Sequence, residues 1–375
     1  MTTAPVKSLA EIAEFVQYGY TASASEHPVG PRFLRITDIV PSQIDWDSVP
    51  YCEIDEKARS KFSLATGDIV IARTGATVGY AKLIRDNPES VFASYLVRIR
   101  VDRQFADPGY VGRIVESDVY KQFVMSRVGG AAQPNANAKV LSAFRLPIPN
   151  RSTQSRIVEI LSAYDDLIEN NRRRIQLLEQ AARLLYKEWF VHLRFPGHEH
   201  TQIIDGVPEG WEKKPLGTIA PLKYGKALKN DDRVPGPFPV YGSSGIVGTH
   251  AKALVPGPTI IVGRKGNVGS VYWSPDDCHP IDTVYYIDSE LCSFFLYYAL
   301  QQMTFISTDV AVPGLNRDFA HSRSLLVADQ KILRLFEETV SPLHQQMELL
   351  KRQNSSLAKA RDLLLPKLMK GEVAV

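Results

Sequence analysis

Cysteine is nearly missing from this chain of 375 residues: Cys52, Cys278 and Cys292 are the only three, and no two stand in C-x-x-C spacing. That excludes a disulfide framework and a cysteine-ligated zinc site, and it points to a reducing, cytoplasmic setting. No apolar run reaches eighteen residues, so no membrane-spanning helix is expected. The start MTTAPVKSLAEIAEF has neither the charged nor the apolar region of a signal peptide. A strong charge of one sign is lacking too. The net charge is +3, residues 1–150 hold 17 basic and 16 acidic side chains, and residues 197–327 hold 11 and 13. A surface for nucleic acid must therefore be a local cluster rather than a global field. Candidates are LKYGKALKNDDR (222–233), Arg264 with Lys265, Arg73, and Arg98 with Arg100.

Nucleotide-binding motifs are absent as well. The stretch TIIVGRKGNVGSVYW (259–273) is rich in glycine and basic residues, but no glycine is followed by Lys-Ser or Lys-Thr as a Walker loop requires. Its spacing is G-x-x-G-x-x-G, which is not the Rossmann fingerprint. Apolar β-branched runs flank both sides, so strand–loop–strand is expected, whereas a phosphate loop opens a helix.

What the chain does contain is that stretch twice. In IVIARTGATVGY (69–80), Arg73, Gly75 and Gly79 answer Arg264, Gly266 and Gly269, with one extra residue in the first copy. AAQPNANAKV (131–140) is answered by VAVPGLNRDF (310–319), setting Pro134 opposite Pro313 and Asn137 opposite Asn316. KSLAEIAEFVQYGY, near residue 7, is answered by KPLGTIAPLKYGK, near residue 214. The chain thus reads as two copies of a unit about 180 residues long.

Each copy runs into a heptad-patterned segment. The first seam is Ile157, Leu161, Tyr164, Ile168, Asn171, Ile175, Leu178, Ala182, Leu185 and Trp189; the second is Leu333, Phe336, Val340, Leu343, Met347, Leu350, Asn354, Leu357, Arg361, Leu364 and Leu368. Ser152 or Thr153 is expected to cap the first helix, and Pro342 to kink or loosen the second. Asn171 and Asn354 either fix the register from inside the seam or face solvent at an imperfect one. About 38 residues of helix extend about 57 Å, and two such helices should pair antiparallel, giving a rod with a globular domain at each end. Ile160, Leu167, Leu177, Leu184, Leu335, Leu349 and Leu363 are apolar positions outside the seams, which suggests helices that want partners. The linker RFPGHEHTQIIDGVPEGWE (194–212) marks the start of the second globular unit, and its His198 and His200 read as a solvated loop rather than a metal site.

Taken together, these pieces resemble the specificity subunit of type I restriction–modification systems across essentially the whole chain. The resemblance rests on WFVHLRFPGHE with VPEGWE, on VYGSSGIVGTH followed by GPTIIVGRKGNVGSVYW, on DTVYYI (282–287) and VPGLNRD (312–318), and on RLPIPNRSTQSRIVEILSAYDDLIENN, where Gln154 stands at the helix opening. It implies an α+β fold: two similar mixed α/β target-recognition domains separated by two long antiparallel coiled-coil helices, with a pseudo-twofold internal repeat. The first recognition domain would cover 1–150, the first spacer helix 151–193, a linker 194–210, the second recognition domain 211–327 and the second spacer helix 328–371. Each domain would read half of a split, asymmetric double-stranded DNA target. The helices would dock two methyltransferase subunits, which bring S-adenosylmethionine and recruit motor–nuclease subunits that use ATP and Mg. No membrane is implied. Pro366 and the first copy's IARTGATVGY depart from the family's usual pattern.

On that reading the glycine loops approach DNA, since glycine permits close backbone approach and positive φ. Arg73, Thr74 and Thr77 are the candidates in the first copy; Lys265, Asn267, Tyr241, Ser243 and Ser244, with Lys223 and Lys226, are those in the second. Asn135, Asn137 and Asn316 are candidates too, although Asn137 and Asn316 suit a turn or cap equally well. Arg73 and Arg264 are shared between copies, so they suit phosphate binding or loop support. Catalysis is not expected. The Asn/Asp-Pro-Pro-Tyr/Phe loop of amino-methyltransferases does not occur, nor does H-E-x-x-H or G-x-S-x-G. SPDDCHPID (274–282), with Asp276, Asp277, His279 and Asp282, reads as a turn with solvated carboxylates. The alternative to a DNA reader is a non-catalytic coiled-coil scaffold joining two protein-binding modules. Duplicated basic loops favour the reader, because a protein-binding face would show aromatics and leucines.

Overall fold

The computed structural model describes residues 4–41, 43–128, 134–305, 314–370 and 372–373. The chain forms two compact units, residues 1–170 with 353–375 and residues 171–352. Each unit therefore takes part of both long helices, and the linker 194–210 belongs to the second.

In the first unit an antiparallel sheet orders its strands Ala13–Tyr18, Leu96–Val101, Asp68–Ala72 and Ala81–Leu83. Asp68–Ala72 is buried along its whole length, as expected of an inner strand covered on both faces, which explains why its sequence is an unbroken apolar run after Asp68. The second unit repeats this sheet with Lys223–Tyr224, Val284–Ile287, Thr259–Gly263 and Val271–Ser274. Two further pairs correspond. Val6–Ser8 with Arg145–Pro147 matches Glu212–Pro215 with Ser324–Val327, and the parallel pair Arg32–Leu34 with Ser90–Phe92 matches Phe238–Gly242 with His279–Pro280. The repeat seen in sequence is thus a repeat of topology. The strand Ala13–Tyr18 carries a β-bulge between Ala13 and Phe15. The copies diverge after the first strand of the parallel pair, where the first unit inserts helices Ile36–Ile39 and Glu56–Phe62 and the second turns back through Gly245–His250. His279 is a correction: it is buried in a strand rather than solvated in a turn.

The first long helix runs Arg151–Tyr186 and continues as a π-helical turn, Lys187–Val191; the second runs Gln330–Lys370, unbroken through Pro342 and Pro366. Pro342 therefore does not end the second helix. The first helix is capped by Asn150, whose Oδ1 accepts from Thr153 N at 2.9 Å, not by Ser152 or Thr153. Ser152 and Thr153 cannot serve as the cap because the helix begins two or three residues earlier than they would require. Every described member of the two seams is buried or half-buried. Within the first unit, Ile157 and Leu161 share a core with Leu365 and Leu368, Asp165 bonds Arg361 at 2.5 Å, and Asn354 Nδ2 donates to Ile168 O at 3.2 Å. Pairing that descends along one helix as it ascends along the other is antiparallel. Asn171 is buried and Asn354 half-buried, so neither faces open solvent. Gln154, buried beside the start of the helix, donates to Pro149 O and accepts from Asp107 N, which ties the helix to its own recognition domain.

In the second unit Phe336 sits among Tyr186, Trp189 and Phe190, with ring centroids 5.0–6.1 Å apart, and the π turn is what brings Trp189 and Phe190 together into this core. Glu337 accepts from the backbone N–H groups of Phe294 and Phe295, holding the start of helix Phe294–Gln302. Two turns further on, His344 stacks on Phe294 at 3.9 Å, and its Nε2 lies 2.8 Å from the Tyr298 hydroxyl. Burial, with Lys351 nearby, lowers its pKa from 6.5 to about 4. Between those values the unfolded chain takes up a proton that the folded chain refuses. The contribution of His344 is therefore intact above pH 6.5 and is lost as pH falls toward 4, a loss on the order of 3 kcal/mol. Urea melts at pH 7, 5.5 and 4.5 should show this loss, and His344→Phe should flatten it. An unchanged pH slope in the variant would assign the dependence to other groups.

Candidate nucleic-acid interface

Both glycine stretches are hairpin loops. In the first unit the loop joins Asp68–Ala72 to Ala81–Leu83; in the second it joins Thr259–Gly263 to Val271–Ser274. Gly75 and Gly79 have φ of +74° and +84°, and Gly266 and Gly269 have +78° and +77°, so the glycines matched in sequence occupy the left-handed region that other residues avoid.

The second repeated motif is bonded to the first. Thr74 bridges Asn135 and Lys265 bridges Gly314, both antiparallel. Ala136 N donates to Arg73 O, and Leu315 N donates to Arg264 O, each at 2.8 Å. On the other side, Arg73 N donates to Tyr95 O and Arg264 N to Thr283 O. Asn137 and Asn316 then cap short helices, Oδ1 accepting from Val140 N at 2.9 Å and from Phe319 N at 3.0 Å. Capping is thus the role these two asparagines occupy. Pro313 and residues 131–133 and 310–312 of these motifs lie outside the described residues.

A third repeat element completes the arrangement. Arg73 lies over the Tyr18 ring at 4.9 Å, and Arg264 lies over Tyr224 at 4.9 Å. The glycine after each tyrosine, Gly19 or Gly225, leaves no room for a Cβ, which would fall within 2.2 Å of Ala93 O or 2.1 Å of Ile281 O. Arg73 also reaches Asn135 Oδ1 at 3.4 Å, and Arg264 donates to Asp282 O at 3.0 Å. No carboxylate among the described residues pairs with either arginine. Tyr18 and Tyr224 were missed by motif reasoning, although QYGY and KYGK were visible in the repeat. Arg317, over the Tyr224 ring at 5.1 Å, was missed because its partner is distant in sequence.

The remaining candidates separate. Lys265, Asn267, Asn135, Ser244 and Lys226 are exposed, and Thr74, Thr77 and Ser243 are half-buried. The turn Ser243–Ser244 lies against the second loop: a Cβ on Gly266 would come within 3.1 Å of Ser243 Oγ, and Ser270 Oγ and Tyr272 OH both donate to Ser243 O. Tyr241 is a correction, being 5% exposed in an apolar cluster with Ile261 and Val284. Lys223 is exposed and pairs with Asp288 at 2.5 Å, a hydrogen bond that raises its pKa. Arg98 and Arg100 both bond Asp68, and Arg98 is buried. They neutralise a buried carboxylate and offer nothing to a ligand.

The family model for the type I restriction modification DNA specificity domain matches residues 6–180 and 208–319. The chain belongs to that family. The specificity subunit of the type I restriction enzyme MjaIX from Methanocaldococcus jannaschii is 24% identical, covering 86% of this chain and 82% of its own length. The specificity subunit of the HindI enzyme from Haemophilus influenzae is 24% identical, over 86% and 91%. The crystal structure of the type I restriction–modification S subunit from M. genitalium covers 97% of this chain and 95% of its own, with TM-score 0.54 and 18% identity, which supports the fold. As a specificity subunit, the chain has two recognition domains, one in each unit. No helix among its described residues is long and apolar enough to cross a membrane.

Capping and surface contact predict different stability effects. Asn137→Ala and Asn316→Ala should each cost about 1 kcal/mol, whereas Lys265→Ala should stay within about 0.5 kcal/mol. Urea melts decide this, and an equal loss in all three would make Lys265 a structural part of its loop.

Proposed function

We propose that the two units read the two halves of a split, asymmetric duplex DNA target. In the first unit Thr74, Thr77 and Asn135 face the bases or backbone; in the second Lys265, Asn267, Ser243, Ser244 and Lys226 do so. Arg73 and Arg264, identical in both units and stacked on tyrosine, bind phosphate or hold the loop. The observation that carries this reading is the duplicated loop. Each unit presents a glycine hairpin bonded to a capped helix, and its basic and amide donors suit phosphates and base edges.

The long helices position two methyltransferase subunits. Leu167, Leu177, Leu184, Leu349 and Leu363 are 50–69% exposed on them, apolar surface of the kind that partner helices cover. The motor–nuclease subunits join through that complex. S-adenosylmethionine belongs to the methyltransferase, ATP and Mg belong to the motor–nuclease, and this chain contributes recognition without catalysis. Its place of work is the cytoplasm.

The test is a methylation map. The chain is expressed with its methyltransferase partner in an unmethylated host, and modified adenines are located by single-molecule sequencing. A split motif with a fixed gap, lost when this chain is omitted, is the expected result. Binding of that DNA by the complex should fall steeply with salt, as phosphate contacts require. A stable complex that methylates nothing and binds DNA without salt dependence would leave only the scaffold.

A further inference from the structure

We infer that the two residues joined by the loop bridge are the specificity-determining pair of each unit: Thr74 with Asn135 selects an A·T base pair, and Lys265 with Gly314 selects a G·C pair. This rests on the DNA-reading function proposed above and assigns base chemistry to particular positions.

The argument begins from what the two units share. Arg73 and Arg264, Tyr18 and Tyr224, and Asn137 and Asn316 are identical residues in equivalent bonds. Identical contacts cannot distinguish two different half-sites, so they serve the frame or the phosphates. The bridge is equivalent in both units by its backbone, yet its side chains differ: Thr opposite Asn in one, Lys opposite Gly in the other. Residues directly opposite across an antiparallel bridge place their side chains on the same side, with Cβ atoms about 4.5–5.5 Å apart. They therefore meet one ligand together. Beyond this point the loops differ in length by one residue, so Thr77 and Asn267 have no such correspondence.

Among the described residues nothing requires the glycine at 314: a Cβ there would meet nothing closer than Arg264 O at 3.9 Å. Its smallness is therefore available to a ligand, leaving the exposed Lys265 ammonium unobstructed. An ammonium has three donors and no acceptor, which matches guanine O6 and N7 and offers nothing to the amino groups of adenine or cytosine. In the first unit, Asn135 can donate to adenine N7 and accept from N6. Its Oδ1 has two lone pairs, and Arg73 at 3.4 Å takes only one. Thr74 supplies a methyl group beside it for contact with the thymine methyl.

The experiment exchanges the pairs in the full chain, expressed with its methyltransferase partner in an unmethylated host. Lys265→Thr with Gly314→Asn should convert one base pair of one half-site from G·C to A·T, by about tenfold in relative methylation, and leave the other half unchanged. Thr74→Ala truncates a half-buried side chain and Lys265→Ala an exposed one, and neither touches the backbone bridge. Each should flatten discrimination at a single base pair of its own half-site about tenfold. An unchanged motif, a change in the wrong half, or a uniform fall at every base pair would overturn the inference. A native complex that yields a split motif while the variants leave it intact defeats the pair assignment alone. A native complex that yields no split motif defeats the DNA-reading function itself.

Discussion

In each recognition domain the proposed reading surface depends on one backbone bridge between a glycine hairpin and the segment that opens a short helix. A loop containing two left-handed glycines has wide conformational freedom, and that freedom must be removed before its side chains can discriminate anything. The bridge removes it from one side and the neighbouring strand, through Tyr95 or Thr283, from the other. The residue next to each bridge is buried, Ala136 in one unit and Leu315 in the other, and a capping asparagine follows it. The loop is thereby stapled to the core through backbone hydrogen bonds on both sides and one apolar anchor. Arginine over tyrosine adds a cation–π contact worth about 0.5–1 kcal/mol at an exposed site. The glycines allow the turn, and the staple makes it single-valued.

The long helices face the opposite problem, since an apolar seam alone permits several registers. Here the seam carries polar members with directional partners. Asp165 meets Arg361 across the pair and Arg113 from the recognition domain, and Asn354 reaches a backbone carbonyl. Sliding either helix by one heptad would strand these groups, leaving half-buried charge unpaired. The first unit also closes only when residues 353–370 arrive after the whole second unit in sequence, so much of its core depends on contacts distant in the chain.

The repeat, the hairpins, the two helices and their seams were legible because each has a period or a punctuation that local physics imposes. Three things were not. The ion cluster of Arg98, Arg100 and Asp68 looked like a basic patch because charge counting ignores which face of a strand a residue takes, and cross-strand pairing put these arginines beside a carboxylate. Tyr241 looked like a surface donor because its neighbours Ser243 and Ser244 are in the turn, but it precedes the turn at the buried end, Val240–Gly242, of its strand. The partner of Lys223, Asp288, was hidden because it arrives through a pairing of strands about sixty residues apart. In each case the missing information is tertiary register, which residue type alone does not carry.

Where the two domains differ follows from the same construction. The sheet, the terminal strand pair and the parallel pair recur, and the insertion after the first strand of that parallel pair does not: helices in one domain, the Gly245–His250 hairpin in the other. In the second domain that hairpin's turn packs on the glycine loop, with Ser243 against Gly266. The large structural difference and the residue differences at the bridge therefore converge on one patch, and the frame beneath is held by bonds that do not depend on those side chains. A patch of this kind can change what it reads without changing how it folds. An asymmetric target requires that freedom of a protein whose two halves share a single architecture.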